Sequence, residues 1–94
     1  MLGQLPVDIK RLGKKALDKE ILRLGIIAEL DAINFYEQMA AMTTDKNIKK
    51  VLMDIAREEK AHVGEFQALL LMKDKEQVKE MEEGEEEVKE MIGK

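Results

Sequence analysis

Cysteine is missing from all 94 residues. Disulfides, thiolate zinc sites, iron-sulfur clusters and rubredoxin-type centres are therefore excluded, and any bound metal must be held by oxygen and nitrogen. Aromatic residues make up only 3% of the chain, and no basic stripe is interleaved with them. With a net charge of -4, this argues against nucleic acid as a partner. No apolar run is long enough to span a bilayer, and Met1 to Lys15 lacks the apolar region of a signal peptide. These absences predict a soluble, cytoplasmic protein with no membrane partner. The one basic cluster, Lys10, Arg11, Lys14 and Lys15, reads as a solvated lead-in. A chain this short builds only a marginal core, so association with further copies is expected.

What the chain does have is helical periodicity. Residues 1–17, with Gly3, Pro6 and Gly13, predict an extended arm holding at most one helical turn after Pro6. From Asp18, placed as an N-cap, apolar spacing runs to Met42, and Gly25 within it marks a close helix approach. Thr43, Thr44 and Asp45 interrupt the pattern, which resumes at Asp45 or Lys46 and continues to about Met72. So short a link between two long amphipathic helices implies an antiparallel hairpin over 18–73. Residues 74–94 form a C-terminal helical extension, in which Asp74 caps a short helix to Glu82 and Gly84 breaks it. Glu85 to Ile92 is expected to add a last turn or two, and the run from Glu82 to Glu87 reads as a solvated acidic face.

Each hairpin helix carries an apolar stripe with an ionisable group at its centre. The first is Leu22, Ile26, Glu29, Ile33, Tyr36 and Ala40; the second is Ile48, Leu52, Ile55, Glu59, His62, Phe66 and Leu69. Both stripes should be buried. Desolvating a carboxylate costs several kcal/mol unless it is compensated, and a metal ion is the leading candidate. Glu29 and Glu59 lie fifteen residues to either side of Thr44. At ~1.5 Å per residue both stand roughly 22 Å from the turn, at one height on facing helices. His62 shares the face of Glu59 one turn on, giving Glu-x-x-His opposite a glutamate.

Carboxylate-bridged di-iron bundles take one glutamate from each of two helices and a Glu-x-x-His from each of the other two. One hairpin supplies half of this set, and a homodimer supplies all of it. Four glutamates from two copies then balance two divalent cations, and two neutral imidazoles complete the ligands. Oxygen-rich donors with one nitrogen per metal suit iron or manganese, with zinc or cobalt as possible substitutes. Tyr36 lies two turns from Glu29 and is placed as a hydrogen-bond donor near the partner's ligands or as an interfacial ring. Glu58 and Glu65 fall off the stripe and go to solvent or subunit edges.

Two segments, Glu29-Leu-Asp-Ala-Ile-Asn-Phe-Tyr36-Glu and Ala56-Arg-Glu-Glu-Lys-Ala-His62-Val-Gly-Glu-Phe66, resemble the encapsulated ferritins. These are two-helix members of the ferritin-like superfamily, and the resemblance covers residues 19 to 73. It implies an all-α hairpin that dimerises into a ferritin-like four-helix bundle, with Glu29, Glu59 and His62 as ferroxidase metal ligands and Tyr36 close by. It further implies two iron ions per dimer, a ring of five dimers, and an encapsulin shell protein as partner, with localisation inside that nanocompartment. The chain departs from the family in two places. Acidic residues can flank the first-helix glutamate at the preceding position and two after it, where this chain has Ala28 and Asp31. Residues 82–94 do not resemble the peptide that docks such cargo, so both a free form and a piece of a shell fusion fit.

The expected activity is oxidation of Fe(II) to Fe(III) for storage and detoxification. One rival is a non-enzymatic helical hairpin that associates through its apolar faces, with Glu29, Glu59 and His62 setting register only. Another is a rubrerythrin-like peroxide scavenger, whose electron relay would have to come from a second protein because cysteine is absent.

Overall fold

A computed structural model describes residues 13–93. The expected arm, apart from its last residues, and the terminal Lys94 lie outside them. Among the described residues every regular element is a helix: α1 (Lys14–Met42), α2 (Lys46–Lys73) and α3 (Lys75–Ile92). The fold is all-α, as expected. No helix among these residues is long and apolar enough to cross a membrane.

Helix α1 starts four residues ahead of the expected cap. Gly13 occupies the N-cap position without a side-chain hydrogen bond, and Asp18 lies inside the helix. The segment Lys14-Lys15-Ala16-Leu17 has good intrinsic helix formers and continues the helix back past Asp18. The turn is as expected: Asp45 accepts hydrogen bonds from the backbone N–H groups of Asn47 and Ile48, both at 2.9 Å, and so starts α2.

The two long helices pack antiparallel along their length. Leu22, Ile33 and Ala40 of α1 and Ala56 and Leu70 of α2 are the buried residues between them. The stripe on α1 is therefore where periodicity places it. On α2 the buried column sits one residue later than expected: Ala56 is 1% and Leu70 5% exposed, while Ile48 and Leu69 are half exposed. One neighbouring helix can cover only one flank of a wide apolar stripe, and α2 turns a small residue, Ala56, toward α1. The other flank, Ile48, Ile55, His62 and Leu69 at seven-residue intervals, is left at the open edge of the hairpin.

Gly84 does not break α3, which runs unbroken for 18 residues. A lone glycine costs only about 1 kcal/mol in a helix interior, and its neighbours are mostly glutamate, lysine and methionine, which favour helix. Lys89 also lies 3.4 and 3.6 Å from Glu85 and Glu86 one turn earlier. The helix ends instead at Gly93, whose φ of 73° is left-handed.

Asp74 joins the elements. Its side chain accepts the N–H of Gln77, capping α3, and it accepts Nη2 of Arg23 from α1, each at 3.0 Å. Helix α3 buries no residue of its own. The molecule measures 47 × 44 × 19 Å. The hairpin accounts for one long dimension at ~1.5 Å per residue, so α3 must project sideways to give the other.

Candidate metal centre

The face of α1 that buries Ile33 also carries Glu29 inward one turn earlier, and α2 brings Glu59 and His62 to meet it. One donor atom from each of the three lies within 4.8 Å of the others. Nδ1 of His62 is 3.4 Å from Oε2 of Glu29 and 3.6 Å from Oε2 of Glu59. The two carboxylates are 18% and 20% exposed, whereas His62, at 42%, opens to the surface.

These separations are too long for good N–H···O hydrogen bonds, which lie at about 2.7–3.2 Å. Oε2 of Glu29 is buried and has no hydrogen-bond partner among the described residues. An orphaned buried carboxylate oxygen is unfavourable, and such groups in folded proteins call for an explanation. Donors each about 2.1 Å from a common ion stand about 3.0–3.4 Å apart at tetrahedral or octahedral angles. The separations from His62, 3.4 and 3.6 Å, lie at and just beyond the upper end of that range, and the three donors together fall within 4.8 Å, so closing on one ion takes only a small movement. Two oxygens and one nitrogen match a divalent first-row metal.

Apolar surface frames the three donors. Ile21 and Leu69 line one cleft between α1 and α2 and are 50% and 48% exposed. Toward the turn, Ile48 and Val51 line a shallow groove on α2 and are 52% and 58% exposed. The far flank of the hairpin is closed differently, by an ion pair at 3.1 Å from Lys60 to Glu37.

Tyr36 is half-buried on α1, two turns from Glu29, with its ring 5.9 Å from that of Phe35. None of the side-chain hydrogen bonds among the described residues involves it. Within one chain Tyr36 therefore stands apart from the three donors. Glu58 and Glu65 are exposed, and Asp31 does not join the cluster. Sequence reasoning missed the bridge from Arg23 to Asp74. The N–H of Gln77, followed by Lys19 and Arg23, holds the Asp74 carboxyl below the usual range against the opposing effect of burial. Only the capping role of Asp74 had a local signal; an arginine 51 residues away gives none.

The family model described as EncFtn-like matches residues 4–92. Over 74 residues, 79% of the chain, the sequence is 69% identical to a ferritin-like-encapsulin shell fusion protein of Pyrococcus furiosus. Over 67 residues, 68% of the chain, it is 37% identical to the encapsulin nanocompartment cargo protein EncC of Myxococcus xanthus. The matched regions span 21% of the fusion protein and 52% of the cargo protein, so each relative is much longer than what it shares here. The fold is similar to the crystal structure of the encapsulated ferritin domain from Pyrococcus furiosus, with a TM-score of 0.85 and 55% identity. That match covers 97% of this chain and 98% of the other.

Proposed function

Because this chain belongs to the EncFtn-like family, we propose that it is a ferroxidase that gathers two ferrous ions between two copies of itself and oxidises them with dioxygen. The observation that carries this reading is the meeting of Glu29, Glu59 and His62 around a buried oxygen that no group among the described residues satisfies. Iron is the substrate here. Manganese, cobalt and zinc are stand-ins that the same donors accept.

One hairpin offers two carboxylates and one imidazole, which is half of a di-iron set. A second copy laid across the open flank doubles it. Four carboxylates then carry the charge that two ferrous ions cancel, and without the ions the same four groups would repel one another. The half-exposed Ile21, Ile48, Val51 and Leu69 become the dry walls of that seam. Glu29 and Glu59 hold the ions, and each neutral His62 supplies a nitrogen. Tyr36 is assigned to the second copy's site, two turns from its own. The ions give one electron each, dioxygen accepts the pair and, with two protons, leaves as hydrogen peroxide, and the ferric product leaves toward a mineral.

A single hairpin encloses no store for such a product. The site is therefore assigned to a larger assembly, a ring of dimers working inside an encapsulin nanocompartment. The descriptions of the two relatives, a shell fusion and a compartment cargo, support that setting.

The test is aerobic addition of ferrous iron to metal-free protein, followed by ferric absorbance and by mass under native conditions. The parent should oxidise iron and gain mass as a dimer or a multiple of it. Glu59→Ala and His62→Ala should slow oxidation by about tenfold or more, the loss typical when metal affinity is disturbed. Parental rates in both variants would remove these residues from the site.

A further inference from the structure

We propose that Gly25 and Phe66 form a spacer that sets the separation of the donors on α1 and α2, and with it the size of divalent cation they hold. The inference rests on the reading of Glu29, Glu59 and His62 as a metal centre. Gly25 stands four residues before Glu29, and Phe66 four residues after His62. In an antiparallel pair those two shifts run the same way. The pair Gly25 and Phe66 is thus the pair Glu29 and His62 moved by about one turn along both helices.

At that layer the ring of Phe66 lies directly on the backbone of α1. A Cβ added to Gly25 would stand 3.1 Å from Cδ1, 3.1 Å from Cε1 and 3.2 Å from Cδ2 of the ring. Added carbons at Gly13, Gly64, Gly84 or Gly93 would meet nothing within 4 Å. Glycine in a helix interior is disfavoured relative to alanine, and at position 25 the ring gives a packing reason for it that Gly64 and Gly84 lack. An aromatic ring is rigid and half-buried here, so relief from the added carbon comes from moving the ring or the helices by a few tenths of an ångström.

That distance matters one turn away. Small divalent cations take oxygen and nitrogen donors at about 2.0–2.2 Å, whereas calcium takes oxygens at about 2.3–2.6 Å. The displacement is as large as the difference between the two classes. A ring seated on bare backbone keeps the donors at the narrow setting.

Cobalt(II) is the probe, added to the full chain with calcium as competitor and read by its visible absorption and its dissociation constant. The parent should bind cobalt with a distinct ligand-field spectrum and prefer it to calcium. Gly25→Ala should keep its helix content, since alanine is the better helix former. It should bind cobalt about tenfold more weakly, with an altered spectrum and a smaller margin over calcium. Adding Phe66→Leu to Gly25→Ala removes the ring and should restore the parental spectrum and affinity. Phe66→Trp alone presses a larger ring on the unchanged glycine and should shift the spectrum in the direction of Gly25→Ala, which covers the case of a misfolded Gly25→Ala. A parental spectrum and affinity in Gly25→Ala, or in Phe66→Trp, overturns the spacer, as does a double variant no better than Gly25→Ala. A parent that binds no cobalt overturns the metal centre itself, and the spacer with it.

Discussion

At Glu29 the protein accepts a locally unfavourable arrangement, a carboxylate oxygen out of water and without a donor among the described residues. Its neighbours have to hold it there. Ile33, one turn on, is 8% exposed, and Ile33→Ala should destabilise the chain by about 2–4 kcal/mol in denaturant titration. Tyr36 lies away from its own chain's donors, so its assignment to the second copy makes a separable prediction. Tyr36→Phe should leave iron stoichiometry unchanged by native mass spectrometry while slowing oxidation several-fold; an unchanged rate would leave it as a packing ring. That Glu29, Glu59 and His62 meet was legible in the sequence because helical geometry turns spacing from the turn into height, and fifteen residues each way leaves little freedom. Gly25 was legible for a similar reason, as a small residue in a helix that had to meet a partner. The identity of that partner, Phe66, was not, because the rotation of α2 depends on which flank α1 covers.

The helices differ in what holds them. α1 and α2 stabilise each other, whereas α3 rests on its own propensity and on Asp74. Because the folded-state pKa of Asp74 is depressed, its contribution is present above the ordinary carboxylate value of about 3.9 and is lost as pH falls through the lower folded value. Lowering the pH from 7 to 5 should therefore leave its cap intact. Asp74→Ala should reduce helix content by far-ultraviolet circular dichroism already at pH 7, and the difference from the parent should shrink below about pH 4. Equal helix content at neutral pH would mean that α3 needs no cap. The expected break at Gly84 shows the limit of local reading: one glycine is a weak signal among strong helix formers, and the left-handed Gly93 was the real stop. The start of α1 was misplaced because Asp18 has cap chemistry at a position where helix formers lie on both sides.

For the whole molecule, negative charge is concentrated on α3, although that helix also exposes Val88, Met91 and Ile92. Helix α3 carries eight glutamates against three lysines, more than the net charge of -4 for the entire chain. The hairpin shows uncovered isoleucine, valine and leucine around its three donors. Leu69→Glu should leave the helical spectrum near that of the parent, since Leu69 is half exposed in the single chain, yet abolish iron-dependent dimer formation in native mass spectra. Persistent dimers in that variant would place the seam elsewhere. Solitary periodicity could not announce which flank stays open, because a buried stripe looks the same whether its second cover comes from the same chain or from another copy.

On the proposed reading a single chain holds only half of the donors, so working centres would form by a bimolecular step. Their number then falls with the square of protein concentration once the solution is dilute enough for chains to part, so specific activity should decline on dilution. Packing the chains into a small volume would consequently act on the chemistry itself through mass action, by preventing that separation.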